Sequence, residues 1–297
     1  MHYKTIFFLI LIFCNRGYSQ SDMEESEKIR NEIAALFNAT SGDFAMAFRD
    51  LSGSNEPIFI NVREEFHAAS TMKTPVMIEV YKQANEGKFS LNDSLPVKNE
   101  FKSIVDSSFF KLDIGRDDGE HIYEQIGQKR RIKDLLVDMI IYSSNLATNI
   151  VIEFVGAENV NQTMRNLGAE DINVLRGVED MKAYEAGLNN TTTAYDLMII
   201  FEKLGRGEAV SQEASEEMIE VLMQQTHRDI IPAKLPKEVK VANKTGSITG
   251  VHHDSGIVFL PDGHRYVLVL LSKNMEDEKA GTAMLAEVSK IVYDYIK

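Results

Sequence analysis

Apolar residues recur at the three-and-four spacing of a helix over residues 21–38, where Ile29, Ile33, Leu36 and Phe37 share a face behind an acidic first turn of Asp22, Glu24 and Glu25. That stripe predicts an amphipathic helix whose carboxylates complement the positive end of its dipole. Two β-prone runs follow at 44–51 and 57–62, with Gly53-Ser54-Asn55 as the turn between them. Residues 70–86 read as a helix that Gly87 stops. Beyond residue 91 the pattern is helical, with segments at 133–141, 145–155, 158–167 and 193–204. Two polar links interrupt it, at 113–120 and 173–190; irregular stretches of that length inside a compact domain are usually functional or flexible. A further helix at 211–225 precedes strands at 239–248, 255–260 and 265–271, separated by Gly250 and by Pro261-Asp262-Gly263, and the chain closes with a helix over 279–295.

The order helix, strands, many helices, strands, helix predicts an α+β fold. An antiparallel sheet drawn from both ends of the chain is flanked by the N- and C-terminal helices, and an all-α domain is inserted between its halves. We place the discontinuous α/β domain at 21–66 and 208–297 and the all-α domain at 67–207, with a cleft between them.

Composition narrows the function. The chain has 297 residues, 44% hydrophobic and 26% charged, which is ordinary for a globular protein with a sizeable core. A net charge of −13 argues against nucleic-acid or anionic-membrane surfaces, which need clustered Lys and Arg. The one basic run, Lys129-Arg130-Arg131, reads as a solvated helix start. Residues 1–19 form a separate unit: His2 and Lys4, an apolar run over 5–13, then the small residues Gly17 and Ser19. This predicts a secretory signal cleaved near Ser19 and an exported product, periplasmic or extracellular. Cys14, the only cysteine, lies inside that unit; a lipoprotein anchor there is disfavoured by bulky Phe13 just before it. No other stretch is long and apolar enough to span a membrane, no disulfide is expected, and nothing in the sequence requires more than a monomer.

Candidate chemistry sits at three places. Ser70 and Lys73 open the helix of 70–86 three positions apart, so hydroxyl and amine share a face beside free backbone N–H groups; on its own the pair reads first as a helix cap and a solvated lysine. Ser143-Ser144-Asn145 lies between two helical segments and can project from a turn. Lys244-Thr245-Gly246 lies on the first returning strand, where the absent side chain of Gly246 lets a substrate approach the edge. No clustered metal ligands and no cofactor motif are evident.

In this order the three motifs resemble the serine β-lactamase and penicillin-binding protein superfamily, most closely the class A β-lactamases, with Ser-x-x-Lys, Ser-Ser-Asn in place of the usual Ser-Asp-Asn, and Lys-Thr-Gly. Ala147-Thr148-Asn149, Thr191-Thr192-Thr193 and Asp254-Ser255-Gly256-Ile257 extend the likeness over essentially the whole mature chain. The resemblance implies a β-lactamase/transpeptidase-like fold and no cofactor. It implies Ser70 as the acylated nucleophile, Lys73 as its amine partner or base and Ser143 as proton relay to the leaving nitrogen. Asn145 would hold the substrate's side-chain amide, Lys244 and Thr245 its carboxylate, and the N–H groups of Ser70 and Ser247 the oxyanion, with Gly246 open to the substrate. The substrate would be a small β-lactam or a related acyl compound.

The link before the Thr-Thr motif departs from the family, which places there a glutamate that activates the deacylating water. The usual Glu-Pro is absent. Glu179 is the candidate because it follows Arg176, Glu185 is the reserve, and a count back from Thr191 points near Gly177. Three readings stay open: a β-lactamase; a related esterase or D-Ala-D-Ala peptidase; and a β-lactam-binding protein that deacylates slowly. A Ser–His–Asp arrangement through His252, His253 and Asp254 is disfavoured, since a hairpin connection accounts for polar residues there and Lys73 already supplies a base.

Overall fold

Side chains alternate across a strand, and in β1 (Asp43–Asp50) the alternation divides two cores. Phe44, Met46 and Phe48 pack with Ile33 and Phe37 of α1 (Gln20–Ala39) and with Leu285, Val288 and Val292 of α9 (Glu278–Ile296). Ala45 and Ala47 face the other way, into a larger core shared with the remaining helices. The computed structural model describes residues 20–297, so the expected signal segment and Cys14 lie outside the described residues.

Five antiparallel strands form the central sheet in the order β2 (Ile58–Ile60), β1, β11 (Arg265–Lys273), β10 (Val251–Phe259), β9 (Lys240–Ile248). Both faces are covered, so β11 runs buried from Tyr266 to Ser272. Small two-stranded pairs fasten the rest: β3 (Phe66–His67) with β8 (Thr191–Thr192), β4 (Ser94–Pro96) with β7 (Lys129–Arg131), and β5 (Phe101–Lys102) with β6 (Phe109–Phe110). On the face opposite α1 and α9 lie α2 (Lys73–Asn85), α3 (Ile132–Ile141), α4 (Asn145–Val155), α5 (Ala157–Leu167), the short α6 (Met181–Glu185), α7 (Ala194–Gly205) and α8 (Gln212–Leu222). α7 lies directly on β1, β10 and β11, while α2 is enclosed by α4 and α5 and buried almost all round. The architecture is therefore α+β, with an antiparallel sheet and terminal helices on one of its faces.

Several sequence expectations shift. The α-helix begins at Lys73, because Ala69–Met72 form a 3₁₀ turn entered through Ala69 at φ +44°. β10 begins at Val251, so His252, His253 and Asp254 belong to the strand and not to its connection. Lys129-Arg130-Arg131 is the strand β7 and not a solvated helix start; Arg130 Nε lies 2.7 Å from the buried carboxylate of Asp138.

Candidate active site

Ser70 is held in a turn that the local sequence could not hold alone. Ala69 occupies the left-handed region, which costs an L-residue roughly 1–2 kcal/mol, and the surroundings enforce it. Ala68 N donates to Asn190 O at 2.8 Å, Ala69 N to His67 Nδ1 at 3.0 Å, and the Thr71 hydroxyl to Ala68 O at 2.6 Å. β9 presses against this turn: a Cβ on Gly246 would stand 3.0 Å from Ser70 N and 3.1 Å from Thr71 N. Glycine is thus required by close approach, and the nucleophile turn and the strand edge face each other. Ser70 and Ser247 border both of two adjoining cavities, of about 410 and 140 Å³.

Lys73 is fully buried at the floor. Its Nζ donates to Ser143 O at 2.6 Å, Ser143 Oγ at 3.1 Å and Asn145 Oδ1 at 3.2 Å. Burial drives its pKa from 10.5 down to about 7, against the opposing pull of Asp117, Asp118 and Glu179. Lys244, also fully buried, donates to the same Ser143 Oγ at 3.1 Å and to Thr245 O at 2.9 Å. Burial first, and then the charge of Lys73, hold its pKa well below the ordinary lysine value. Two amines therefore occupy the acceptor side of the Ser143 hydroxyl, which leaves its own proton to be given elsewhere. Ser143 reaches this point at φ +54° between α3 and α4, while Ser144 caps α4 by accepting from Ala147 N at 3.2 Å.

The smaller cavity is closed by Thr245, His227, His252, Arg116 and Asp118. His252 is engaged by Thr282 Oγ1 at 2.9 Å and lies 3.5 Å from Asp229. His253 is wholly buried and turned away, its Nε2 on His67 O at 2.9 Å and its Nδ1 accepting from Ser272 N at 3.1 Å. Asp254, with its pKa raised to about 6 by burial, accepts from Asn243 Nδ2 at 2.8 Å and Ile231 N at 3.0 Å. These strand residues thus serve separate structural bonds and form no catalytic triad.

The link 173–190 folds into an Ω-like loop closed at its neck. Asn190 Oδ1 accepts from Leu175 N at 2.8 Å and Arg176 N at 3.2 Å, and the Arg176 side chain donates to Leu188 O, Gly177 O and Asn189 Oδ1. Asn149, from α4, clasps both backbone groups of Val178, accepting from its N at 2.6 Å and donating to its O at 3.0 Å. Gly177 lies so close that an added Cβ would fall 2.2 Å from Asn149 Oδ1. Val178 therefore faces the larger cavity, and Glu179 follows at φ +61°. The Glu179 carboxylate does reach the cavity, accepting from Asn145 Nδ2 at 2.9 Å and from Asp113 N at 3.2 Å. Glu185 is exposed and borders neither cavity. Met181 and Tyr184, both half exposed, join Val178 and Ile248 as an apolar wall.

Ser70, Lys73, Ser143, Asn145, Glu179, Lys244, Thr245, Gly246 and Ser247 thus meet around one cleft. Sequence reasoning missed His67, Arg116, Asp117 and the wall residues; the one available signal was the length and polarity of the two links that carry most of them. Among the described residues no group of three or more His, Cys, Asp or Glu is placed to hold a metal ion.

Comparison with known proteins bears on the family and the fold. An imipenem-hydrolyzing β-lactamase of Enterobacter cloacae is 24% identical over 290 residues, covering 94% of this chain and 92% of that protein. Among solved structures, a β-lactamase from Sphaerobacter thermophilus superposes with a TM-score of 0.76 at 26% identity, covering 90% of this chain and 96% of its own. A mutant of PBP-A, solved as an acyl-enzyme complex with penicillin G, gives 0.76 at 24% identity, covering 92% and 96%, and speaks to the fold alone. The family model described as the β-lactamase enzyme family matches residues 28–296, nearly the whole of the described chain, and the chain belongs to that family.

Proposed function

We propose that this protein is an exported serine hydrolase that opens the β-lactam amide through a covalent acyl-enzyme on Ser70. The observation that carries the reading is the buried Lys73 amine, brought to a pKa of about 7 and bonded to Ser143 and Asn145. A lysine in that state is in good part neutral at physiological pH and serves as a base.

The Ser70 hydroxyl attacks the lactam carbonyl and its proton passes to the neutral Lys73 amine. The oxyanion forms between the N–H groups of Ser70 and Ser247, on elements that the Gly246 contact brings face to face; one such donor is worth about 3 kcal/mol. Ser143 donates its proton to the departing nitrogen and is reprotonated by the Lys73 ammonium, which returns the amine to its starting state. The C–N bond breaks and the acyl group stays on Ser70. Lys244 and Thr245 receive the substrate carboxylate, a cation and a hydroxyl being matched to it. Water, deprotonated by Glu179, then cleaves the ester, and the proton returns to Ser70. Hydrolysis of a chromogenic cephalosporin that the Ser70→Ala substitution abolishes tests this reading; equal turnover by the Ala variant refutes it.

A second reading, capture with slow release, is favoured by one observation. The Glu179 carboxylate is already engaged by Asn145 Nδ2 and Asp113 N, and the residue that Asn149 clasps at the loop is Val178, which has no base to offer. A Ser70 adduct that outlasts the assay selects this reading, and its loss within seconds excludes it. Export is supported by the charged, apolar and small-residue pattern of residues 1–19. An N-terminus at Gln20 on protein recovered from the periplasm or medium tests it, and an intact Met1 there refutes it.

A further inference from the structure

The link 113–120 carries the most heavily hydrogen-bonded carboxylate beside the site, a group that no step of the proposed reaction uses. Asp117 is 3% exposed. Its Oδ2 accepts from Leu146 N at 2.8 Å, Tyr123 Oη at 3.1 Å and Ser144 Oγ at 3.3 Å, and its Oδ1 from Gly119 N at 2.8 Å. The Ser144 hydroxyl accepts from Ala147 N, so its proton is free for Asp117. Gly119 permits the approach: a Cβ there would stand 2.4 Å from Ser144 Cβ. A carboxylate thus sits at the N-terminal end of α4, where the helix dipole favours it, anchored to the middle residue of Ser143-Ser144-Asn145.

We propose that Asp117 is a positioning residue that supplies, from the 113–120 link, the carboxylate that Ser144 lacks, fixing the Ser143–Asn145 turn and facing the buried Lys73 with a negative charge. The family pattern carries an aspartate in the middle of this motif; here the serine and the distant aspartate divide its work. Fixing the turn fixes all three acceptors of Lys73, since Ser143 O, Ser143 Oγ and Asn145 Oδ1 belong to it. The charges that act on Lys73 are Asp117, Asp118 and Glu179, opposed by burial, with Asp117 the foremost of the three carboxylates; the other buried amine beside it, Lys244, shares its Ser143 Oγ acceptor.

The significance of Asp117 rests on Lys73 being the base, but its test does not. The Lys73 titration is read by carbon NMR on lysine-labelled protein without substrate, the resonance assigned by its absence in Lys73→Arg. Asp117→Asn keeps the shape and removes the charge, and is expected to lower the Lys73 midpoint by about half a pH unit or more. A double variant, Asp117→Asn with Ser144→Asp, returns the carboxylate to the motif and is expected to restore the wild-type midpoint. A merely structural role for Asp117 would lower the melting temperature and leave the midpoint alone, and that result overturns the proposal. Should Asp117→Asn not fold, the double variant decides: folding with the wild-type midpoint supports the exchange, and failure to fold or a lowered midpoint refutes it. Absence of β-lactam turnover in the wild type would sink the proposed reaction without touching this measurement.

Discussion

Replacing Lys73 by methionine removes the buried amine and keeps a chain of similar length. Lys73 in the folded protein has a pKa of about 7, against 10.5 for an ordinary lysine. The folded state therefore disfavours the charged form by about 3.5 pH units, or ~5 kcal/mol at ~1.4 kcal/mol each. The sign follows from proton counts. Between pH 7 and 10.5 the unfolded chain holds a proton at this lysine that the folded chain does not, so stability rises with pH through that window; below pH 7 the penalty is fully present. For this one group the penalty is ~5 kcal/mol at pH 6 and ~2 kcal/mol at pH 9. The hydrogen bonds lost to Ser143 and Asn145 change both numbers by a similar amount and leave the difference intact. Lys244, whose pKa Lys73 also lowers, relaxes in the same direction when Lys73 is gone. Urea unfolding of the wild type and Lys73→Met at pH 6 and pH 9 should therefore show the variant's relative stability falling by ~2–3 kcal/mol between the two pH values. The same difference at both pH values would refute the buried, near-neutral lysine, and with it the base.

Glu179→Ala is expected to preserve the first burst of acylation and to lower steady-state turnover by about 10²-fold or more, read by stopped flow with a chromogenic cephalosporin; unchanged turnover would clear Glu179 of the deacylating role. Gly246→Ala places a methyl 3.0 Å from Ser70 N and should slow acylation by about tenfold or more while leaving the protein folded, as circular dichroism would report. Gly177→Ala sets a Cβ 2.2 Å from Asn149 Oδ1 and should free the loop that carries Glu179. Faster backbone amide exchange at Val178 would record that release.

Of the residues that meet at the cleft, those legible in the sequence were the ones that motif type and spacing along the chain pick out: Ser70 with Lys73, Ser143 with Asn145, and Lys244 through Ser247. The sheet and its flanking helices were legible because apolar period follows burial. Asp117 and His67 were not, because each acts on a distant segment through a tertiary contact that no local pattern records. His253 and Asp254 misled hydropathy: both are polar and wholly buried, their groups satisfied by His67 O, Ser272 N, Asn243 and Ile231 N. The 3₁₀ turn at Ser70 escaped periodicity because Ala69 is held left-handed by contacts from Asn190 and β9. The place of Glu179 was ambiguous by counting and follows instead from the grip of Asn149 on Val178.

Covalent acylation of Ser70 is the event on which the proposed reaction turns. Intact-protein mass spectrometry, with penicillin G mixed in and quenched at intervals from milliseconds to minutes, tests it most directly. One penicillin mass should appear on the wild-type chain, map to the peptide containing Ser70, and be absent from Ser70→Ala. An equal adduct on the Ala variant, or no adduct at any time on the wild type, would contradict it.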